Sequence, residues 1–379
     1  MKALLKTPTG AAWETVREPK IEQATDILVR ITYSALSWSD LLLLVEPEAM
    51  PPVGSILGHQ AIGVVVEAGS AVTTLAVGDR VVISPIVACG TCAYCKVGFY
   101  AQCVRVNPEG RGAGGIFLGG WHSPAIGDLN GVHAQYARIP FADVGCWALP
   151  ASLSDLQGLL LSELLPLGYF GAKLARICAG DRVAVFGADP AGIMAAATSL
   201  MIGAGRVLVV DSSPARLANL EHLGVETVAV APEAAGEIIR DLTEGHGVQC
   251  AIVTTGAGID YANQEDASAV EAPYSARLLH SAVNALSRDS TLAIVGVYPR
   301  NYHSFALGDA TARYVTIKAA ACNYSKYLLP LTNLFQAGLL NTPPFSEPAP
   351  LAEYAPPAEA YPTMRASRLG WVVLDWSTL

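Results

Sequence analysis

From residue 182 onward the chain alternates short, continuously apolar segments with segments of helical periodicity. Apolar runs spaced in this way are typical of parallel strands buried on both faces, with the intervening helices covering the sheet. The pattern predicts a doubly wound parallel sheet, an α/β domain that we place at residues 153–318. The predicted strands cover residues 182–186, 207–211, 226–230, 250–254 and 291–297, and the predicted helices cover residues 193–202, 214–222 and 233–243.

The part of the chain before this domain has a different character. Short β-branched, apolar segments at residues 27–31, 61–66 and 77–82 predict a barrel-like unit of β-strands. A leucine-rich helical segment, with Ser152 or Ser154 as its N-cap and reaching residue 177, leads into the α/β domain. After residue 318 the chain is expected to rejoin the β unit, so residues 1–152 and 319–379 form one domain.

Charge and composition exclude several classes of function. The 379 residues carry a formal net charge of −9, and only 15% of them are charged. An acidic chain lacks the basic face that nucleic acids and anionic membranes require, and no long apolar run predicts a transmembrane helix. The amino terminus lacks the apolar stretch of a signal peptide, so we expect a cytoplasmic protein. The sparse charge favours further apolar burial between subunits, so we expect a homodimer or homotetramer. The partner that we expect is a small-molecule substrate.

Four of the eight cysteines lie close together in a glycine-containing loop that we delimit as residues 86–105. They are Cys89, Cys92, Cys95 and Cys103. Four thiolates at this spacing can enclose one tetrahedral zinc ion, and such a closed site is structural rather than catalytic. The sequence therefore predicts one structural zinc ion per chain.

A glycine-containing turn follows the first strand of the α/β domain. Its residues are Gly187, Ala188, Asp189, Pro190, Ala191 and Gly192. A strand, such a turn, a helix and an acidic residue at the end of the next strand are typical of a dinucleotide-binding site. The acidic residue is Asp211, which would accept hydrogen bonds from both adenosine ribose hydroxyls and favour NAD over NADP. Arg216 would flank the adenine or partly admit a 2′-phosphate.

The middle glycine of this turn is replaced by Asp189. A carboxylate about 4 Å from a phosphate charge costs about 1 kcal/mol in water and about 4 kcal/mol at an effective dielectric constant of 20. We expect NAD(H) to bind, and the alternative is a Rossmann-like half that keeps its fold without holding the cofactor.

Over nearly its whole length the chain resembles the zinc-containing medium-chain dehydrogenases/reductases, the alcohol dehydrogenase superfamily, and especially its glutathione-independent formaldehyde dehydrogenase branch. The resemblance rests on the four-cysteine loop, the glycine turn and three motifs, which are Gly58-His59-Gln60-x-x-Gly63, the stretch 135–143, and Leu165-Pro166-Leu167-Gly168-Tyr169-x-Gly171-Ala172. It implies a GroES-like catalytic domain, a Rossmann coenzyme domain and a cleft between them. In the cleft, the nicotinamide of NAD faces a catalytic zinc that acts as a Lewis acid.

The catalytic metal site departs from the family pattern. Ser37 stands where the family has a cysteine ligand, and Gln60 replaces a glutamate. His59 matches the second ligand and Glu163 the third, and the family's proton-relay hydroxyl corresponds to Ser39, close to Asp40. One imidazole, one carboxylate and neutral oxygens hold zinc poorly, because a catalytic zinc normally has three good protein ligands. We therefore expect a lost or very weak catalytic zinc, with His59 and Glu163 left as acid and base.

Further side chains are candidates for the substrate pocket. They are Trp38, Gln60, Trp121, His122 and Tyr169. The resemblance, together with the departures at the metal site, implies NAD(H)-dependent hydride transfer on a small alcohol or aldehyde, an imine or a conjugated alkene. Two other hypotheses stay open at this point. One is a non-redox cyclase, isomerase or lyase of specialised metabolism on the same scaffold, and the other is a binding or scaffold protein.

Overall fold

The computed structural model describes residues 1–8, 10–37, 40, 51–108, 110, 117–119, 121–123, 126–220, 222–256, 273–298, 302, 305–340, 345, 353–355 and 371–376. For residues 121, 122, 128, 219 and 353–355 only the backbone is described. None of the helices in these ranges has the length and apolarity needed to cross a membrane.

The strands are numbered along the chain. They are β1 (Lys2–Thr7), β2 (Gly10–Thr15), β3 (Ile27–Ser37), β4 (Gln60–Ala68), β5 (Arg80–Ile83), β6 (Trp121–Ser123), β7 (Gly127–Leu129), β8 (Tyr136–Ile139), β9 (Cys146–Ala148), β10 (Arg182–Phe186), β11 (Arg206–Asp211), β12 (Glu226–Ala229), β13 (Val248–Val253), β14 (Leu286–Ile294), β15 (Thr316–Ala319), β16 (Glu353–Ala355) and β17 (Trp371–Asp375).

The α-helices are numbered in the same way. They are α1 (Ala93–Lys96), α2 (Ala142–Gly145), α3 (Asp155–Ser162), α4 (Leu164–Leu174), α5 (Pro190–Ile202), α6 (Pro214–Leu217), α7 (Ala235–Leu242), α8 (Tyr274–Ala285), α9 (Leu307–Ala312) and α10 (Tyr324–Gln336).

The chain divides into two compact units, Met1–Pro166 with Asn323–Leu379, and Leu167–Cys322. The sequence places these divisions earlier, after residues 152 and 318. Helix α3 belongs to the first unit because it packs on strands β4 and β5, and the Ser162 hydroxyl donates a hydrogen bond of 2.8 Å to the Ile83 carbonyl of β5.

The main sheet of the first unit has the strand order β16-β17-β3-β4-β5-β9, and β8 also pairs with β3. Strands β4 and β17 both run antiparallel to β3. The carboxy-terminal strand therefore closes the sheet that the amino-terminal segments begin. This mainly antiparallel unit corresponds to the predicted GroES-like domain.

The second unit contains a parallel sheet with the strand order β12-β11-β10-β13-β14-β15. This is the order of the doubly wound dinucleotide-binding fold, in which the first strand lies in the middle. Strand β10 is apolar on both faces, and all but its first residue are buried, as expected for a central parallel strand. The predicted α/β fold class is confirmed.

The leucine-rich segment predicted as one helix is interrupted at Glu163. Ser154 is the N-cap of α3, and its hydroxyl accepts a hydrogen bond from the Gln157 amide at 3.2 Å. Helix α3 ends where Glu163 adopts φ −141° and ψ −56°, and α4 starts at the next residue. The break places a glutamate between two buried helices.

Candidate active site

The four-cysteine loop forms a compact cluster of sulfur atoms. The Sγ atoms of Cys89, Cys92, Cys95 and Cys103 all lie within 4.8 Å of one another. Zn–S bonds of about 2.3 Å would place tetrahedral ligands about 3.8 Å apart. Amides support the sulfurs, since Cys89 Sγ accepts from the Cys92 amide at 3.4 Å and Cys103 Sγ from the Cys89 amide at 3.3 Å. The cluster fits a closed zinc site.

The second candidate site is centred on His59, immediately before β4. Its imidazole is fully buried between two carboxylates. Nδ1 lies 3.2 Å from Asp40 Oδ1, and Nε2 lies 3.1 Å from Glu163 Oε2. Each ring nitrogen therefore faces a carboxylate oxygen.

Asp40 is held in place by the end of β3. Its Oδ2 accepts a hydrogen bond of 2.7 Å from the Ser37 amide and one of 3.3 Å from the Ser37 hydroxyl. Burial alone would raise the pKa of Asp40, but His59, together with His133, lowers that pKa below its usual range. Burial opposes charge on His59, yet Asp40 and Glu163 raise the pKa of His59 well above its usual value.

A second histidine, which the sequence did not single out, also approaches Asp40. His133 Nε2 lies 3.7 Å from Asp40 Oδ1, and its Nδ1 shares a hydrogen bond of 2.9 Å with the Ser34 hydroxyl. That hydroxyl also accepts from Trp376 Nε1 at 2.8 Å. The only related signal in the sequence is the glycine before His59. In the structure Gly58 has φ +96°, and a Cβ there would lie 2.4 Å from the His133 ring.

An aromatic ring was missed as well. The Phe117 ring stands edge-to-face with the His59 imidazole, with a centroid distance of 5.4 Å. Phe117 also contacts the ring of Tyr324 on α10 at 6.4 Å. The site is therefore apolar on one side of the imidazole and carboxylate-lined at both ring nitrogens. A lone phenylalanine in a glycine-rich loop gives no sequence pattern that would reveal this contact.

The residues at this site supply two strong ligands for a catalytic zinc. The 3.1 Å between His59 Nε2 and Glu163 Oε2 is close to the separation of about 3.3 Å expected for two ligands of a tetrahedral zinc. Ser37 offers only a hydroxyl that is engaged with Asp40. Within the described ranges, the four cysteines form the only cluster of three or more His, Cys, Asp or Glu ligand atoms. The donor set at His59 thus fits a catalytic zinc poorly.

Gln60 faces the carboxy-terminal strand. Its Oε1 accepts a hydrogen bond of 3.0 Å from Trp371 Nε1, and its buried Nε2 has no hydrogen-bond partner among the residues that the structure describes. The neutral amide in place of the family's glutamate therefore joins β4 to β17 and supplies no charge for a metal ion.

The structure locates the other predicted pocket residues only in part. Trp38 and Ser39 lie outside the described residues, and Trp121 and His122 are described only as backbone of β6. Tyr169 lies on α4, in the second unit. The structure thus brings together Ser37, Asp40, His59 and Glu163.

The glycine turn lies between β10 and α5, as predicted. Gly187 has φ +113°, and a Cβ there would lie 2.3 Å from Thr255 Oγ1. A Cβ at Gly192 would lie 1.9 Å from the Gly187 carbonyl oxygen. Gly187 is therefore required by its positive φ and by the close Thr255 side chain, and Gly192 by close backbone packing.

Asp189, in the middle position, is the N-cap of α5. Its Oδ1 accepts a hydrogen bond of 2.8 Å from the Gly192 amide, and Pro190 at the first helical position has no N–H to offer. Burial raises the pKa of Asp189, and Asp211 adds to this effect while the Gly192 amide opposes it. The helix end that would face a diphosphate is thus capped by the chain's own carboxylate.

Asp211, at the end of β11, is surrounded by donors. Its Oδ2 accepts from the Ala188 amide at 2.8 Å and its Oδ1 from the Ser213 amide at 2.7 Å. Arg216 adds a two-pronged contact, with Nη2 2.7 Å from Oδ1 and Nε 3.0 Å from Oδ2. The turn has the fold and the acidic residue of a dinucleotide site. The groups that would bind the dinucleotide, however, form hydrogen bonds and ion pairs within the protein.

Comparisons with known proteins agree with the fold. The alcohol dehydrogenase GroES-like domain family matches residues 23–151, and the zinc-binding dehydrogenase family matches residues 190–270. A zinc-type alcohol dehydrogenase-like protein of Schizosaccharomyces pombe is 30% identical over 340 residues, which cover 85% of this chain and 79% of that protein.

A branch member and a solved structure are similar as well. A glutathione-independent formaldehyde dehydrogenase of Pseudomonas aeruginosa is 34% identical over 237 residues, which cover 61% of this chain and 57% of that protein. The alcohol dehydrogenase TADH from Thermus sp. ATN1 superposes with a TM-score of 0.81 at 26% identity, covering 99% of each chain.

Proposed function

Because the chain belongs to the zinc-containing alcohol dehydrogenase family of medium-chain dehydrogenases/reductases and is an oxidoreductase, we propose the following reaction for it. The enzyme transfers hydride between NAD(H) and a small alcohol or aldehyde, an imine or a conjugated alkene. Its zinc is confined to the four-cysteine loop. The family membership disfavours the non-redox alternative.

The observation that carries this proposal is the placement of His59 between Asp40 and Glu163, at 3.2 and 3.1 Å. When bound, the nicotinamide would accept or supply the hydride. An alcohol that loses hydride to become a carbonyl compound must also lose its hydroxyl proton. Because Asp40 and Glu163 raise the pKa of His59 and keep the ring protonated, the carboxylate of Glu163 would take that proton, and would return it in the reverse direction.

Asp40 is a positioning residue in this scheme. Its Oδ1 faces His59 Nδ1, so a proton on Nδ1 is favoured and Nε2 stays directed at Glu163. The Ser37 amide and hydroxyl fix the second oxygen of Asp40. Ser37 thereby serves the orientation of the histidine, where the family uses a cysteine to bind zinc.

The donor set also limits the substrate. Without a third strong ligand, the site lacks the Lewis acid that stabilises an alkoxide. Substrates that need little such help, including an iminium ion or a conjugated C=C bond, suit it better than a simple alcohol. The sparse charge of the chain further supports a homodimer or homotetramer, and we place the enzyme in the cytoplasm.

The test follows the absorbance of the reduced nicotinamide during turnover of small aldehydes, cyclic imines and conjugated enones. Glu163→Gln removes the carboxylate charge and should lower turnover by about 10²- to 10⁴-fold, the usual contribution of a positioned acid or base. Glu67→Gln, an exposed carboxylate on β4, is the matched control and should retain activity. Equal turnover of Glu163→Gln and the wild type would contradict the assigned role, and no absorbance change with any substrate would contradict the reaction.

A further inference from the structure

We infer that Asp189 is a built-in competitor for the diphosphate of the coenzyme, and that this one carboxylate keeps dinucleotide affinity low. The inference rests on the proposed function only in assuming that a nicotinamide dinucleotide is the ligand. It concerns the second unit alone, where the turn, helix α5, Asp211 and Arg216 all lie.

Asp189 occupies the amino-terminal end of helix α5. A bound diphosphate is attracted by the free N–H groups and the dipole at a helix amino terminus. Here Pro190 has no N–H, and the Gly192 N–H donates to Asp189 Oδ1 at 2.8 Å. The Ala191 N–H is also directed to this carboxylate. Asp189 therefore uses the donors that would otherwise bind phosphate oxygens.

Asp189 also adds negative charge beside the turn. Asp189 has Asp211 as a neighbour, and Arg216 is the cation that compensates them. With both carboxylates ionised, these three groups sum to one negative charge before any ligand binds. A diphosphate brings two more negative charges to the same turn. A bare glycine in the middle position would leave Asp211 balanced by Arg216 and the helix end open.

The adenosine ribose would bind at Asp211. Asp211 accepts from Ala188, Ser213 and Arg216 across both oxygens. A carboxylate has about four acceptor positions, so ribose hydroxyls would have to displace donors that are already in place. Arg216 cannot readily turn away, because it balances two carboxylates. The helix end and Asp211, which would bind the diphosphate and the ribose, are thus both engaged within the protein. Asp189 additionally repels the negatively charged diphosphate.

The experiment measures the Kd of the full-length protein for NADH by calorimetry or by nucleotide fluorescence. Asp189→Gly removes both the carboxylate and its volume, whereas Asp189→Asn keeps the volume and the helix cap but removes the charge. Glycine and asparagine are both acceptable N-caps, so both variants should fold. The matched control is Ser154→Gly, which alters the N-cap of α3 in the other unit.

Asp189→Gly should bind NADH about fivefold to a thousandfold more tightly than the wild type, the range given by one like-charge repulsion at about 4 Å. Asp189→Asn should recover part of this gain, and Ser154→Gly should leave the Kd unchanged. Wild-type and Asp189→Gly affinities within twofold of each other would overturn the inference while leaving the proposed reaction intact. Failure of every folded variant to bind NADH would contradict both the inference and the proposed cofactor.

Discussion

Asp40 fixes the geometry of the candidate site, because two histidines approach the same carboxylate oxygen. Its Oδ1 lies 3.2 Å from His59 and 3.7 Å from His133, while its Oδ2 is bound by Ser37. A buried carboxylate with these neighbours stays ionised and orients an imidazole. The substitution of cysteine by serine at position 37 thus adds a hydrogen-bond donor to this network.

The sequence could identify Ser37, His59, Gln60 and Glu163 as members of one site only through the family pattern. Their residue types alone do not show that the end of a strand, the start of another and a helix break meet. His133 could not be identified, because it belongs to none of the motifs and a lone histidine is usually a core or surface residue. The structure places these side chains, and their chemical roles remain proposals.

The close approach of His133 to Gly58 gives a prediction at this scale. Gly58→Ala should lower the free energy of unfolding by about 2–4 kcal/mol, since its Cβ would lie 2.4 Å from the His133 ring at φ +96°. Denaturant titration followed by tryptophan fluorescence would measure the change.

Gly54→Ala separates backbone strain from the steric clash. Gly54 has φ +92°, but no atom of the described residues lies within 4 Å of the added Cβ, so we expect only the left-handed backbone penalty of about 1–2 kcal/mol. Equal losses of stability in the two variants would show that the packing of Gly58 on His133 contributes nothing.

At the scale of elements, hydrophobic periodicity does not predict where one helix ends and the next begins. The leucine-rich segment has helical spacing throughout, yet the chain breaks at Glu163 and restarts as α4. Hydrophobic periodicity predicts that a helix exists but does not define where a buried helix changes direction. Glu163, the residue at this break, faces His59. The end of helix α3 therefore positions one of the side chains of the candidate site.

Helix α2 gives a prediction about pH. Asp143 on α2 accepts hydrogen bonds from the amides and hydroxyls of Thr73 and Thr74, at 2.7–3.1 Å. Burial alone would raise the pKa of Asp143, but these donors lower it. A carboxyl group with a lowered pKa in the folded state stabilises the protein above its unfolded pKa of about 3.9. That stabilisation is lost as the pH falls through the folded pKa.

Asp143→Asn should therefore lower the melting temperature at pH 7 and have a smaller effect at pH 3. Asp241→Asn, an exposed carboxylate on α7, is the control and should show little change at either pH. A melting-temperature difference for Asp143→Asn that is the same at both pH values would contradict a contribution from the ionised carboxylate.

At the scale of the whole molecule, the predictable part is the architecture. The alternation of apolar strands and helices predicts the parallel sheet, and its observed order β12-β11-β10-β13-β14-β15 is the one the fold requires. The return of the chain to the first sheet through β17 was also expected from the sequence. The resemblance to the zinc-containing dehydrogenases is confirmed by the family matches and by the similar solved structure.

The less predictable part is what the molecule does with this architecture. The motif positions for a catalytic metal and for a coenzyme are present, but particular side chains have altered both. We propose that Ser37 and Gln60 weaken the metal site, and Asp189 caps the helix that would receive the diphosphate. The structure shows, as the sequence could not, that Ser37, Gln60 and Asp189 each form hydrogen bonds with neighbouring residues.

The central claim is that zinc is confined to the four-cysteine loop, and the metal content of the purified chain tests it most directly. Elemental analysis should give one zinc ion per wild-type chain, and Cys92→Ser should reduce this value sharply because it removes one of four clustered thiolates. Ser37→Cys, which supplies a third strong ligand beside His59 and Glu163, should raise it toward two. A wild-type protein that contains two zinc ions, and retains one of them in Cys92→Ser, would contradict the account.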